Sequence, residues 1–317
     1  MIRKALSLVL AIAFLFTANA QDYRQEYLKT NQKLTKQEKT YLKFLYDYMP
    51  LNDIADYETD FFLEQVRTAI KAKKTFSWGK KVPEDIFKHY VLVYRVNNEN
   101  LDTARTFMFN ELKDRIKSMS MYEAALEVNH WCHEKVNYKA ADGRTSSPLA
   151  TMKTSWGRCG EESTFTVTAL RSVGIPARQC YTPRWAHTDD NHAWVEVWID
   201  GKWYYLGACE PEPELNFAWF DAPVKRAMMV HTTVFGKYNG KEQKNYEADL
   251  YSKINLLSNY TATKKLSVIV KDENGNYRIT GRIKDMIISA RKQALLTALE
   301  QDLLNDARES GKFEILK

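Results

Sequence analysis

His192-Ala193-Trp194-Val195-Glu196-Val197-Trp198-Ile199, then Asp200-Gly201, then Lys202-Trp203-Tyr204-Tyr205-Leu206, is the stretch whose reading decides the fold. Two apolar runs joined by an Asp-Gly pair predict an antiparallel hairpin with a tight turn. Strand alternation puts Ala193, Val195, Val197 and Ile199 on the expected core face, and His192, Trp194, Glu196 and Trp198 on the other. A turn on Asp200-Gly201 pairs Trp198 with Trp203 and Glu196 with Tyr205. Carried further, the same register sets Trp194 opposite Gly207 and His192 opposite Cys209. Upstream, Ala177 to Thr182 reads as another strand.

Before these strands lies Ser155-Trp156-Gly157-Arg158-Cys159-Gly160-Glu161-Glu162, followed by a helical segment from about Glu161 to Val173 that stops at Gly174. Cys159 is thereby expected at a helix N-terminus, where unpaired N–H groups and the helix dipole lower a thiol's pKa. His192, opening a rigid strand, is the natural base for it. The two form a candidate nucleophile and base.

Outside this centre the texture changes. From Gln21 to about Asn129 the pattern is helical, with Thr35 and Glu38 as one capping box and Ser120 and Glu123 as another. The polar stretch from Ala141 to Pro148 breaks the helices. Beyond Asn255, Lys265 to Lys271 and Tyr277 to Thr280 predict a short β-hairpin, and Ile283 to Asp306 a helix. The expected organisation is a signal peptide at 1–20, a helical N-terminal region at 21–119, a catalytic core at 120–255 and a hairpin-and-helix tail at 256–317.

Composition narrows the class. Arg3-Lys4, an apolar run from Ala5 to Phe16 and Ala18-Asn19-Ala20 follow the order of a cleavable secretory signal, with a cut after Ala20. A secreted or periplasmic location is expected. No later stretch approaches roughly 20 uninterrupted apolar residues, so no membrane span is expected. Removing Arg3 and Lys4 from the 46 basic residues leaves 44 against 40 acidic ones, a net charge of +4. The charges are interspersed, which argues against nucleic-acid binding. The sequence does not speak to oligomeric state.

The four cysteines, Cys132, Cys159, Cys180 and Cys209, would ordinarily be counted as disulfides in an exported chain. Setting Cys159 aside leaves three, so at most one bridge forms among them. The register that faces Cys209 with His192 also raises a Cys159–Cys209 disulfide as a redox lock. His130-Trp131-Cys132-His133 offers metal-capable side chains, but no further ligand group stands at zinc spacing, and neither metal nor cofactor is expected.

Gly157-Arg158-Cys159-Gly160-Glu161, Gly174-Ile175-Pro176-Ala177-Arg178, His192-Ala193-Trp194-Val195-Glu196-Val197 and Trp203, taken in order, resemble the transglutaminase-like superfamily over roughly residues 120 to 235. The spelling around Cys159 is nearest to its peptide:N-glycanase branch. The resemblance implies an α+β fold with a papain-like/transglutaminase-like core, in which the nucleophile helix packs on an antiparallel sheet carrying the histidine and an acid.

At the acid the sequence departs from the family pattern, because the position that matches the family's Asp is Gly207. Glu210 is the nearest substitute. Strict alternation would turn it away from His192, so it serves only if the strand ends by Ala208, as Pro211 and Pro213 allow. Asp189, Asp190, Asn191 or a backbone carbonyl are the other candidates. The loop carrying Arg184, Trp185, His187, Asp189 and Asp190, together with Trp156, is the expected substrate-binding surface for a peptide or protein. The expected activity is thiol acyl transfer by a peptidase or amidase. Protein crosslinking, and a noncatalytic binding module that lost its acid at Gly207, are the alternatives.

Overall fold

The computed structural model describes residues 23–140 and 145–264, and beyond them only short strand segments at 270–271, 277–278 and 286–287. The signal segment, most of the C-terminal hairpin and the terminal helix expected above lie outside the described residues.

Helices α1 (Lys36–Tyr48), α2 (Thr59–Thr75), α3 (Ala104–Leu112) and α4 (Met121–Lys135) precede helix α5 (Cys159–Ser172), which begins at the candidate nucleophile. The capping boxes form as the sequence requires. Glu38 N–H donates to Thr35 Oγ1 at 3.2 Å while Thr35 N–H donates to Glu38 Oε2 at 2.7 Å. Ser120 and Glu123 repeat the exchange at 3.2 and 2.8 Å. At the start of α5, Glu161 Oε2 accepts the Arg158 N–H at 2.8 Å, fixing the first turn under Cys159. The helix ends at Gly174, whose φ of +77° only glycine adopts without strain.

Six antiparallel strands follow: β1 (Ala177–Thr182), β2 (His192–Ile199), β3 (Lys202–Leu206), β4 (His231–Phe235), β5 (Lys244–Glu247) and β6 (Tyr251–Asn255). Their order in the sheet is β3–β2–β1–β4–β6–β5. The hairpin register is the one expected near its turn, with Trp198 paired to Trp203 and Glu196 to Tyr205. It then stops. The last pair is Val195 with Leu206, so Trp194–Gly207 and His192–Cys209 do not form.

The physical reason lies on α4. Asn129 donates from Nδ2 to the carbonyls of Gly207 at 2.9 Å and Glu210 at 3.1 Å, and accepts the Cys209 N–H at 2.9 Å. These bonds satisfy the backbone groups that the ladder would have used. They hold 207–210 as a loop, with Cys209 at φ +57°.

β2 is buried along its whole length, on both faces. One core unites α1–α5 with Val195 and Val197, so the N-terminal helices and the nucleophile helix share a single hydrophobic interior. Arg171 of α5 fastens the two parts, donating to the carbonyls of Val93, Arg95 and Ala177 at 2.9–3.1 Å. Alternation predicted this face. The second face, carrying Trp194, is covered by Phe220, Val224, Val230, Val234, Ile254 and Tyr260, which arrive from distant loops and strands. Alternation alone gave no sign of that cover. The whole is α+β, with the nucleophile helix packed on an antiparallel sheet.

Candidate active site

Cys159 begins α5 and is half-buried, and its Sγ lies against the backbone N–H of Ala193, the residue after His192. The two elements meet because Val195 and Val197 share the first core with Phe165 and Ala169 of α5, bringing the start of β2 to the start of the helix. Both Cys159 and His192 line one cleft of about 1030 Å³.

The electrostatics correct the expectation of a lowered thiol pKa. Burial pushes the Cys159 thiol up, and Glu162 adds to the rise. The N–H groups of Ala193 and Gly160 and the Arg158 charge oppose it without overcoming it. Burial likewise pulls His192 down to about 4. Taken singly, both groups rest neutral.

The surroundings of His192 are aromatic. Trp185 and Trp194 stack on its ring at 5.9 and 5.8 Å between centroids, and Trp219 and Phe220 meet it obliquely at 4.8 and 5.3 Å. These π faces disfavour nothing about the neutral ring and attract a cation once one forms. Proton transfer from Sγ to the imidazole would therefore create a charge that the box and the thiolate both stabilise. His192 Nε2 is buried without a hydrogen-bond partner among the described residues.

The carboxylate that comes nearest to the Gly207 position does so in space rather than along the strand. A Cβ built on Gly207 would collide with Oε2 of Glu210 and lie 2.9 Å from its Cβ. The Glu210 carboxylate thus folds back over the side-chain position that Gly207 leaves vacant. Its Oε2 accepts the indole N–H of Trp219 at 3.0 Å. Trp219 in turn packs against His192, so Glu210 reaches the histidine through one indole ring. No direct Glu210–His192 hydrogen bond is present. Asp190 and Asn191 line the cleft, whereas Asp189 does not.

Of the expected substrate-binding residues, Trp185, His187 and Asp190 line the cleft. Arg184 and Asp189 pair with each other in solvent, outside it. Trp156 also lies outside it, its ring covered by the Lys139 ammonium at 4.7 Å. Residues the sequence gave no reason to choose include Glu162, Tyr181, Trp219 and His231, all on the cleft wall. For Trp219 and His231 the signal is purely tertiary.

The cysteine expectations change as well. All four are free. Cys209 Sγ points beneath α5, 3.5 Å from Thr166 Oγ1 and 3.9 Å from the Glu162 carbonyl, with Cys132 beside it. The left-handed turn at Cys209 buries its thiol away from the cleft, so the Cys159–Cys209 lock is not formed. His133 is taken up by the Cys209 carbonyl at 2.9 Å and His130 by Glu134 at 3.1 Å, which divides the metal-capable triplet between separate partners.

Residues 110–208 match the model of the transglutaminase-like superfamily. A peptide-N(4)-(N-acetyl-beta-glucosaminyl)asparagine amidase of Eremothecium gossypii is 39% identical over 69 residues, which are 21% of this chain and 18% of that protein. The chain therefore spans less than a fifth of that relative. Among solved structures, Legionella pneumophila LapG aligns at 18% identity with a TM-score of 0.29, over 46% of this chain and 80% of that one. Red sea bream transglutaminase aligns at 13% identity with a TM-score of 0.27, over 68% of this chain and 35% of that one. Among the described residues no helix is long and apolar enough to cross a membrane.

Proposed function

We propose that the protein is an exported cysteine peptidase or amidase that works through a Cys159 thioester. The observation that carries this reading is the meeting of Cys159, at the first turn of α5, with His192 in one cleft, and the Glu210 carboxylate filling the place of the missing Gly207 side chain.

Cys159 Sγ attacks a substrate carbonyl carbon while His192 takes the thiol proton. The backbone N–H of Cys159, in the first helical turn and so without an intrahelical acceptor, faces the developing oxyanion. His192 then returns the proton to the leaving amine, and water hydrolyses the thioester. Glu210 is a positioning residue. It holds Trp219 against the imidazole, in place of the direct carboxylate contact of a triad.

The test has two readouts. Incubation with a mixed peptide library should yield new termini and a mass adduct on Cys159, both absent from Cys159→Ala. Iodoacetamide should modify Cys159 more slowly after His192→Ala. Alkylation at the rate of a free cysteine, unchanged by His192→Ala and with no library turnover, would overturn the reading in favour of a noncatalytic binding module.

A further inference from the structure

Glu162 differs from the other deeply buried acids. It is 3% exposed, lines the cleft one helical turn from Cys159, and its carboxyl has no hydrogen-bond or ion-pair partner among the described residues. Asp53, Glu99, Glu161 and Glu196 are buried to a similar degree, and each accepts from an arginine or from backbone N–H groups. The charged groups nearest Glu162 on the acid side are Glu210 and Glu161, and the latter is already held by Arg158. Burial, then Glu210, then Glu161 push its pKa up to about 8.

A buried carboxyl left without a donor is costly, and two that face each other more so. The cleft also holds, from a different element, His192 Nε2, which is buried without a hydrogen-bond partner among the described residues. A neutral N–H donor could satisfy one oxygen but would leave the like charges opposed. A cation satisfies both conditions.

We propose that Glu162 and Glu210 form a subsite for a positively charged group of the substrate, a lysine-type ammonium, beside the bond that Cys159 attacks. This rests on Cys159 as the attacking residue, and it specifies the chemistry of what that residue meets. The carboxyl closest to the thiol selects for charge, and the aromatic wall built by Trp185 and Trp219 encloses the rest of the group.

Methanethiosulfonate reagents test the charge directly, because each transfers a small thioalkyl group to the thiolate with release of methanesulfinate. The full chain is treated at pH 9 and low salt with the aminoethyl, methyl and sulfonatoethyl reagents. Labelling of Cys159 is followed by mass spectrometry, with Cys159→Ala as the blank. The ratio of aminoethyl to methyl rate constants should fall on the order of tenfold in Glu162→Gln, the size expected for a unit charge removed within roughly 10 Å. It should fall again in the double variant with Glu210→Gln, while the sulfonatoethyl reagent gains. A ratio unchanged by Glu162→Gln and by Glu210→Gln would overturn the proposal. If Glu162→Gln fails to fold, Glu210→Gln alone decides. Labelling that is slow with all three reagents would count against the nucleophile reading, whereas the ratio reports charge alone, so the two failures are read separately.

Discussion

Two clusters of buried charge lie on strand β2 and its neighbours, and they are built in opposite ways. In one, fully buried Arg178 donates to Glu196 at 2.6 Å and to both oxygens of Glu242 at 2.9 and 2.8 Å, with its guanidinium 3.8 Å from the centre of the Trp203 ring. Glu196 also accepts from Tyr260, and Glu242 accepts from Tyr238 at 2.6 Å. Burial works against the charge on Glu242, yet Arg178 holds its carboxyl below the ordinary range. In the other cluster, Trp219 donates to Glu210 alone, and the Glu162 carboxyl has no donor among the described residues. The paired cluster has nothing left to bind and serves the sheet. The unpaired one faces open space beside Cys159, and an unmet electrostatic need of that kind marks where a ligand belongs.

The sharpest break in the comparison comes from His192, which the paired cluster does not touch. His192→Ala should lower turnover of a cleaved library peptide by about a thousandfold, within the usual range for a general acid–base, and lower the urea midpoint only by the cavity left in the aromatic box. Arg178→Leu should do the reverse. Stranding Glu196 and Glu242 should cost about 3–5 kcal/mol of unfolding free energy, seen in urea denaturation.

Glu162 sharpens the contrast through pH. Its carboxyl stays protonated in the native protein up to about pH 8 but ionises near 4.5 in the unfolded chain. The unfolded state thus binds fewer protons between those values, and stability falls as pH rises through the window, by up to roughly 1.4 kcal/mol per pH unit. Glu162→Gln should flatten that decline, giving a variant more stable than the parent at pH 8. A decline of equal slope in the variant would assign the pH dependence elsewhere. The smallest effect is expected from Trp219→Phe, which keeps a ring against His192 but removes the indole N–H from Glu210. Turnover should fall about tenfold, the scale of one hydrogen bond to a charged group, with KM little changed.

Much of the framework is readable from residues alone because it is governed by short-range rules. The capping boxes at Thr35 and Ser120, the helix stop at Gly174 and the Asp200-Gly201 hairpin each depend on a few adjacent residues. The register failed immediately past Leu206, because Asn129, some 80 positions upstream, takes the backbone bonds that alternation assumed were free. The second cover of β2 was hidden for the same reason, since Phe220 and Tyr260 reach it only through the fold. At the candidate site, the meeting of Cys159 and His192 in one cleft was legible from motif and placement. The sign of the thiol's shift was not, because burial outweighs the helix terminus and sequence does not display burial.

The vacancy at Gly207 has a consequence for how this chain could change over time. An Asp introduced there would meet the Glu210 carboxylate head-on, forcing it to swing out and release Trp219. The two placements of the acid are alternatives that exclude one another. A lineage moving between them by single substitutions passes through a chain with two competing carboxylates, or through one with none. Each solution is thereby sheltered from conversion into the other, and the four residues from Gly207 to Glu210 travel as a linked unit.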